Sequence, residues 1–461
     1  MAAERSGIPA VSIVATPFLA LGQAVAKGLG INDPKLAEYP GVPLIDTDSE
    51  LRDKVVNKLL PQILEGWGKR ASTAVTKVEE PSFRDIVFRG TVEEVHKFFY
   101  DHLWTDGLPI IPPTVDKVER FLQFTDRAFD EVLGVCQPEY REATVWNVAV
   151  NGVMAGCRPE YMPLLIALVE AIVDPAFLIE DAGATPGWEP LITLHGPIIK
   201  ELDFNYEGGV MRTGRQANTS IGRFLKLYMR NVPGCRIPPG TTDKSSIGYT
   251  FNVVLPENED AVAAMGWQPA SVDLGFASGE NVVSVRSCIS ITQPVYTGGS
   301  KALNHVQIIA EVIGQSFAYW CWLGIRNLSW YPLIVMCPSV AKAIADDGWT
   351  KDDIRKYLYD HVKVPAGLVE KYAHNTSQPD FSLKTLVEQG TIPAEYCESD
   401  DPNRLLHVFI KPEWTSIIVA GDPGRNQSRG YVQNQRQGIP VSKRIHLPHD
   451  WQAMLTRARE S

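Results

Sequence analysis

The chain has 461 residues, 44% of them hydrophobic and 21% charged, which is longer than one core usually serves and predicts two or three folded units. Its 44 Lys and Arg against 54 Asp and Glu leave a net charge of -10 with no basic stripe, which argues against a nucleic-acid partner. The 7 cysteines are widely spaced and form no CxxC pair, excluding a disulfide framework and a zinc knuckle; no metal is expected, and the setting reads as cytoplasmic.

In chain order, "AVSIVA" from Ala10 is β-branched and continuous, as in a strand covered on both faces. Thr16 is placed to cap a helix with Pro17 at its first position, and Phe18, Leu21, Val25 and Leu29 recur at helical spacing. "GVPLI" from Gly41 reads as the next strand, "DTD" from Asp46 as a cap, and Leu51, Val55, Leu59 and Ile63 as one helix face. This is a parallel βαβα unit that stops short, because two strands and two helices do not cover both faces of a sheet. Residues 1–70 therefore read as half of an α/β domain, residues 71–90 as a linker, and residues 91–461 as a larger α/β or α+β domain that binds substrate.

Within the larger domain, helical patterns cover "TVEEVHKFFYDHL", "REATVWNVAVNGVMAG" and the stretch after Pro159, whose face is Tyr161, Leu164, Leu165, Leu168 and Ile172. The apolar stretch near Val306 is interrupted by Glu311 and Gln315 and reads as a core helix, so no membrane partner is expected. "PLITLHGPIIKEL" from Pro190 and "PLIVMCPSVAKAI" from Pro332 echo each other as strand, turn and helix, which suggests an internal duplication. Gly248 to Leu255, Glu280 to Ser287 and "SIIVAGDPG" from Ser416 complete the predicted strands.

Three stretches carry residue types suited to chemistry. In "EGGVMRTGRQANTSIGRFLKLYMR" from Glu207, a glycine-rich loop leads to a helix that Asn218 would cap, with Thr219 in its first turn. Arg212, Arg215 and Arg223 would add bidentate donors for a carboxylate or phosphate. A turn with solvated arginines is the alternative. "AGATPGWEPLITLHGP" places Thr185 before a strand and His195 at its end, where open α/β sheets hold ligands, so Thr185 is a candidate substrate contact and His195 a candidate general acid or base. Cys157, beside a helix start, is a candidate nucleophile set against the ordinary reading of a buried thiol.

"SGIPAVSIVATPFLALGQAVAKGLG" resembles the segment that follows the reactive motif of the UGSC-like family, named for a selenocysteine or cysteine followed by Gly-Ser-Cys. It is distantly similar to the selenoprotein subunits of glycine and proline reductase. The resemblance spans Arg5 to about Trp67 and rests on Gly7, Ile8, Pro9, Thr16, Pro17 and Phe18, whereas "DGLPIIPPT", "NGVMAGCRPEYMP" and "ANTSIGR" resemble a long bacterial domain that implies no particular reaction. No UGSC or CGSC motif occurs in the chain. The resemblance therefore implies a hetero-oligomer whose small subunit carries the Cys- or Sec-Gly-Ser-Cys motif beside the Thr16 loop, with no cofactor beyond that thiol or selenol. The expected activity is thiol- or selenol-dependent cleavage of a carbon–heteroatom bond in a small anionic substrate. A redox-neutral lyase or hydrolase with its site wholly in this chain, and a non-catalytic scaffolding subunit, are the alternatives.

Overall fold

The structure is a computed structural model that describes residues 9–28, 31, 33–43, 46–68, 82–181, 187–237, 245, 247–248, 250, 252–376, 378–433 and 439–460. It is an α/β protein in which parallel and antiparallel strand pairs coexist.

In the N-terminal unit, β1 (Ser12–Ala15) and β2 (Leu36–Tyr39) pair in parallel, Ser12 opposite Leu36 and Ala15 opposite Tyr39. The second strand thus precedes the "GVPLI" expected for it. Pro40 has no N–H for a ladder, and Gly41 turns the chain at φ 98°, so extended pairing ends at Tyr39. A single turn over Thr16–Phe18 leads into the helix Leu19–Gly28. Ala15, not Thr16, is the cap; the Thr16 hydroxyl instead lies 2.7 Å from Glu38 Oε1 and accepts the Gly41 N–H at 3.1 Å, fastening the end of β1 to the end of β2. Thr47 caps the next helix in a reciprocal box with Glu50, and that helix runs through a wide turn at Val55–Leu59 to Gly68. Ala37, Tyr39 and Leu59 form a small core of their own. Among the described residues no later strand joins this two-stranded sheet.

Residues 82–90 are not a free linker. Phe83 meets Phe129 and Trp146 edge-on, and Phe88 stacks on Phe98 of the helix Val92–Asp101. The rest of the proposed linker, 71–81, lies outside the described residues.

A hairpin of β3 (Val132–Cys136) and β4 (Arg141–Thr144) precedes the buried helices Val145–Ala155 and Met162–Val173. The main sheet then forms from β5 (Glu189–His195), β6 (Val254–Pro256), β7 (Val282–Ile291), β8 (Val295–Tyr296) and β9 (Leu333–Met336). A short pair, β10 (Lys363–Pro365) with β11 (Leu405–His407), stands apart, and β12 (Ser416–Val419), β13 (Gln427–Gln433) and β14 (Val441–Arg444) complete the main sheet. Its order is β12-β9-β13-β7-β5-β6, with β8 on β13 and β14 on β7.

That order repeats itself about a pseudo-twofold between β7 and β13. β5 has β6 parallel on its outer side and β7 antiparallel on its inner side, and β9 has β12 and β13 in the same relation. The strand after β7, β8, crosses to pair with β13, and the strand after β13, β14, crosses to pair with β7. The Pro190 and Pro332 echoes open the matching strands β5 and β9, each followed by a helix, Ile198–Glu201 and Pro338–Asp346.

The sheet curls until its outer strands meet, since the Asn258 N–H at the end of β6 donates to the Val419 carbonyl of β12 at 2.7 Å. Strand alternation separates two faces. Ile192, Leu194, Val283, Val285, Ile417 and Val419 point outward into the large core, while Leu191, Cys288, Leu333, Val335, Ile418 and Tyr431 point inward. No single described helix is long and apolar enough to cross a membrane, although two bent helix pairs meet that test by length and composition.

Candidate functional site

Alternation puts Thr193 and His195 of β5, Arg286 of β7 and Ser416 of β12 on the same inner face as Leu191 and Ile418. Thr193, His195, Arg286, Ser416 and Ile418 line a cavity of about 30 Å³, with Thr415, Arg355 and Glu413 among its other walls. β5 and β12 lie on opposite flanks of the strand order, so only the curl of the sheet lets them share a cavity. That volume accommodates one or two water-sized groups.

His195 is fully buried, and its Nδ1 lies 2.9 Å from Glu257 Oε2. Glu257 follows β6, fixed there because its N–H donates to the Leu194 carbonyl, and the same Oε2 accepts the Ala270 N–H at 2.7 Å. A carboxylate that only accepts requires the proton of the neutral imidazole on Nδ1, which leaves the Nε2 lone pair directed elsewhere. Nε2 has no protein partner among the described residues. This is the arrangement of an oriented base: a buried ring nitrogen left without a protein partner among the described residues, and a carboxylate behind the other.

Arg286 is 2% exposed in the middle of β7. Its Nη1 and Nη2 donate to the Tyr331 carbonyl at 3.4 Å and to Ser416 Oγ at 3.1 Å, yet no carboxylate pairs with it among the described residues, and its Nε is unpartnered. Burial pushes its guanidinium down to about 10, still protonated near neutrality. Arg355 is the opposite case: it is bonded to Asp273, Asp352 and the Thr415 carbonyl, so its charge is already matched. Glu259, beside Glu257, has its carboxyl pushed up by burial and accepts the Gly196 N–H. His195, Glu257 and Glu259 offer ligand atoms within 4.8 Å of one another, but His195 Nδ1 and Glu257 Oε2 are already engaged with each other.

The glycine-rich loop does not gather its arginines into a pocket. Arg223 makes a two-pronged ion pair with Asp106, Nε and Nη2 each at 2.8 Å, and also donates to the Pro109 carbonyl. Arg215 pairs with Asp203 on the surface, and Arg212 is exposed or nearly so. Arg215, rather than Asn218, caps the helix Gln216–Asn231. Asn218 is buried within the first turn, where its amide accepts from Asn205 N and donates to the Asn205 and Val254 carbonyls, tying the loop to β6. Thr219 Oγ1 accepts the Gly214 N–H at 3.2 Å. These side chains hold the loop's own shape. Cys157 is buried, and desolvation pushes its thiol up to about 12, far from a thiolate at neutral pH. Thr185 lies outside the described residues.

Of the proposed site residues that the structure describes, His195 alone lines the cavity. Arg286 and Glu257 were not singled out, although an arginine at an alternating position of an otherwise Val- and Ser-rich strand, "VVSVRSCISI", is a detectable anomaly. Residues 1–69 match the model of the UGSC family, so the N-terminal region is UGSC-like. Comparisons with curated proteins and with solved structures found no match.

Proposed function

We propose that this chain is the large subunit of a heteromeric thiol- or selenol-dependent enzyme that cleaves a carbon–heteroatom bond of a small anionic substrate. The observation that carries the reading is Arg286, a buried cation with no carboxylate partner among the described residues, lining the same cavity as His195, whose Nε2 is likewise unpartnered among them. Buried cations are ordinarily paired, and one left unpaired beside an oriented base is suited to a substrate's negative charge. His195 Nε2 would take the proton of a partner's thiol or selenol as the resulting thiolate or selenolate attacks the carbon, and would hand that proton to the departing heteroatom. The balance is R–X plus two thiols giving R–H, H–X and a disulfide, so the partner's thiol or selenol pair supplies both electrons.

The UGSC-like region supports the partner half of this reading. It contains no cysteine, the first in the chain being Cys136, and its sheet ends at two strands among the described residues. Ile13, Val56, Leu60, Leu64 and Trp67 are exposed on it, an apolar surface suited to a small subunit bearing the Cys- or Sec-Gly-Ser-Cys motif.

A second reading, a redox-neutral lyase or hydrolase acting within this chain alone, is favoured by the fact that His195 and Arg286 lie on one sheet of this chain and Glu257 directly follows one of its strands. Purification from the native host under mild reducing conditions, followed by mass spectrometry and alkylation, separates the two. A small co-purifying polypeptide with the motif, and turnover lost on alkylating it, is the expected result. Turnover by the isolated chain, indifferent to alkylation, would overturn the thiol reading in favour of the second.

A further inference from the structure

The cavity inside the curled sheet holds more unmet hydrogen-bonding capacity than its size suggests. Thr193 Oγ1, His195 Nε2, Arg286 Nε and Thr415 Oγ1 are all buried without a protein partner among the described residues, and all four residues line the same 30 Å³ space. Leaving one buried polar group unsatisfied costs about 1–3 kcal/mol, so four around one cavity mark it as built for an occupant. They come from three separate parts of the chain, β5, β7 and the approach to β12, and no single loop or helix end explains their convergence.

The donor set specifies that occupant. Nε and Nη2 lie on one edge of a guanidinium and form a fork that matches the two oxygens of a carboxylate. Nη2 already reaches Ser416 Oγ, while Nε is unpartnered. Two hydroxyls, Thr193 and Thr415, can turn their protons toward the same oxygens. Room for one or two water-sized groups fits the two oxygens of a carboxylate, and not the four of a phosphate or sulfate.

The outer part of the cavity carries one carboxylate with no ion pair among the described residues, Glu413. Leu274, 38% exposed, and Glu413, also exposed, line it on the solvent side, with Asp273 close by and already paired to Lys351 and Arg355. The Glu413 carboxylate at the mouth disfavours a second negative group on the ligand.

From this we infer that Arg286, Thr193 and Thr415 form a carboxylate subsite that selects monocarboxylates whose remaining part is uncharged or cationic, leaving His195 Nε2 to face the atoms beyond the carboxylate. The assignment rests on the reading of the cavity as a substrate site and adds its ligand class.

The test uses the full chain and needs no turnover. Formate, acetate, inorganic phosphate and malonate, as sodium salts at equal ionic strength, are titrated by calorimetry and by thermal unfolding. Formate and acetate are expected to bind and raise the melting temperature, with phosphate and malonate at least about tenfold weaker. Thr193→Val, which keeps the shape and removes one donor, is expected to weaken acetate roughly tenfold, by the loss of one hydrogen bond to a charged group. Arg286→Met is expected to abolish acetate binding while leaving the chain folded, because replacing an unpaired buried charge with an apolar side chain removes its desolvation penalty. Equal binding of all four anions, phosphate preferred over acetate, or acetate binding unchanged in Thr193→Val would overturn the assignment. An absence of response from any anion would mean that water alone fills the cavity, and would overturn it as well. Acetate binding that fails while thiol-dependent turnover survives removes the subsite alone; acetate binding together with turnover by the isolated chain that alkylation leaves untouched removes only the thiol reading.

Discussion

His195 and Cys157 are both buried side chains in plausible catalytic positions, and their surroundings separate them. His195 gains a carboxylate behind one nitrogen and no protein partner for the other among the described residues, whereas Cys157 gains desolvation that pushes its thiol up to about 12. Two outcomes follow at this scale. In the native chain at mildly alkaline pH, iodoacetamide is expected to leave Cys157 unmodified and to label it once the chain is denatured; peptide mapping reads the difference, and rapid native labelling would contradict the buried, protonated thiol. The neutral His195 ring is expected to carry its proton on Nδ1, visible in the 15N shifts of the imidazole, and Glu257→Gln is expected to mix the tautomers, since an amide can donate as well as accept. An Nε2-protonated ring in the native chain would remove the oriented base.

At the scale of elements, the helix Gln216–Asn231 shows how local sequence and tertiary demand combine. Its apolar positions Ile221, Phe224, Leu225 and Tyr228 are legible at helical spacing and are indeed buried. What spacing does not reveal is why Gly222 sits in its middle. A Cβ there would stand 2.4 Å from the backbone carbon of Asn252, so the glycine lets the strand leading to β6 lie against the helix. Gly222→Ala is expected to lose at least ~2 kcal/mol in chemical unfolding, despite the better helix propensity of alanine. Arg223, the next residue, joins this helix to the Pro-rich crossing through Asp106. Burial alone would raise the Asp106 carboxyl, but the hydrogen bonds and charge of Arg223 outweigh it and hold it below its ordinary value. A carboxyl depressed in the folded state contributes stability above its unfolded value of about 3.9, and that contribution is lost as pH falls through the depressed value. Asp106→Asn is expected to be less stable than the wild type near neutrality and to lose less on acidification; equal acid sensitivity in both would show that the pair is not formed.

The main sheet has a repeated strand pattern whose two halves carry different residues. Where the first half has His195, Glu257 and Arg286, the second has Cys337 at the end of β9, Ala420 after β12 and Tyr431 opposite Leu333, and its inner face is packed with Val335 and Ile418. One cavity results. The UGSC-like unit has a separate small core and an apolar surface of its own, with Leu64 61% and Trp67 63% exposed. Leu64→Lys together with Leu60→Lys is expected to abolish co-purification of the motif-bearing small subunit while leaving acetate binding in the cavity intact. Retention of that subunit by the double variant would move the docking surface elsewhere.

The sequence by itself determined the α/β class, the N-terminal βα unit with its resemblance, the Thr47 cap, the helix faces and the strand echo at Pro190 and Pro332, because each depends on neighbours a few residues apart. Short-range signals misplace β2 by overlooking Pro40 and Gly41, and gather Arg212, Arg215 and Arg223 into a site because they are close in sequence. Only tertiary structure decided that Asp106 claims Arg223, and that β5 and β12 meet across the curled sheet. Arg286, Thr193, His195 and Thr415 are far apart along the chain, and strand pairing over those distances brings their polar atoms to one buried cavity.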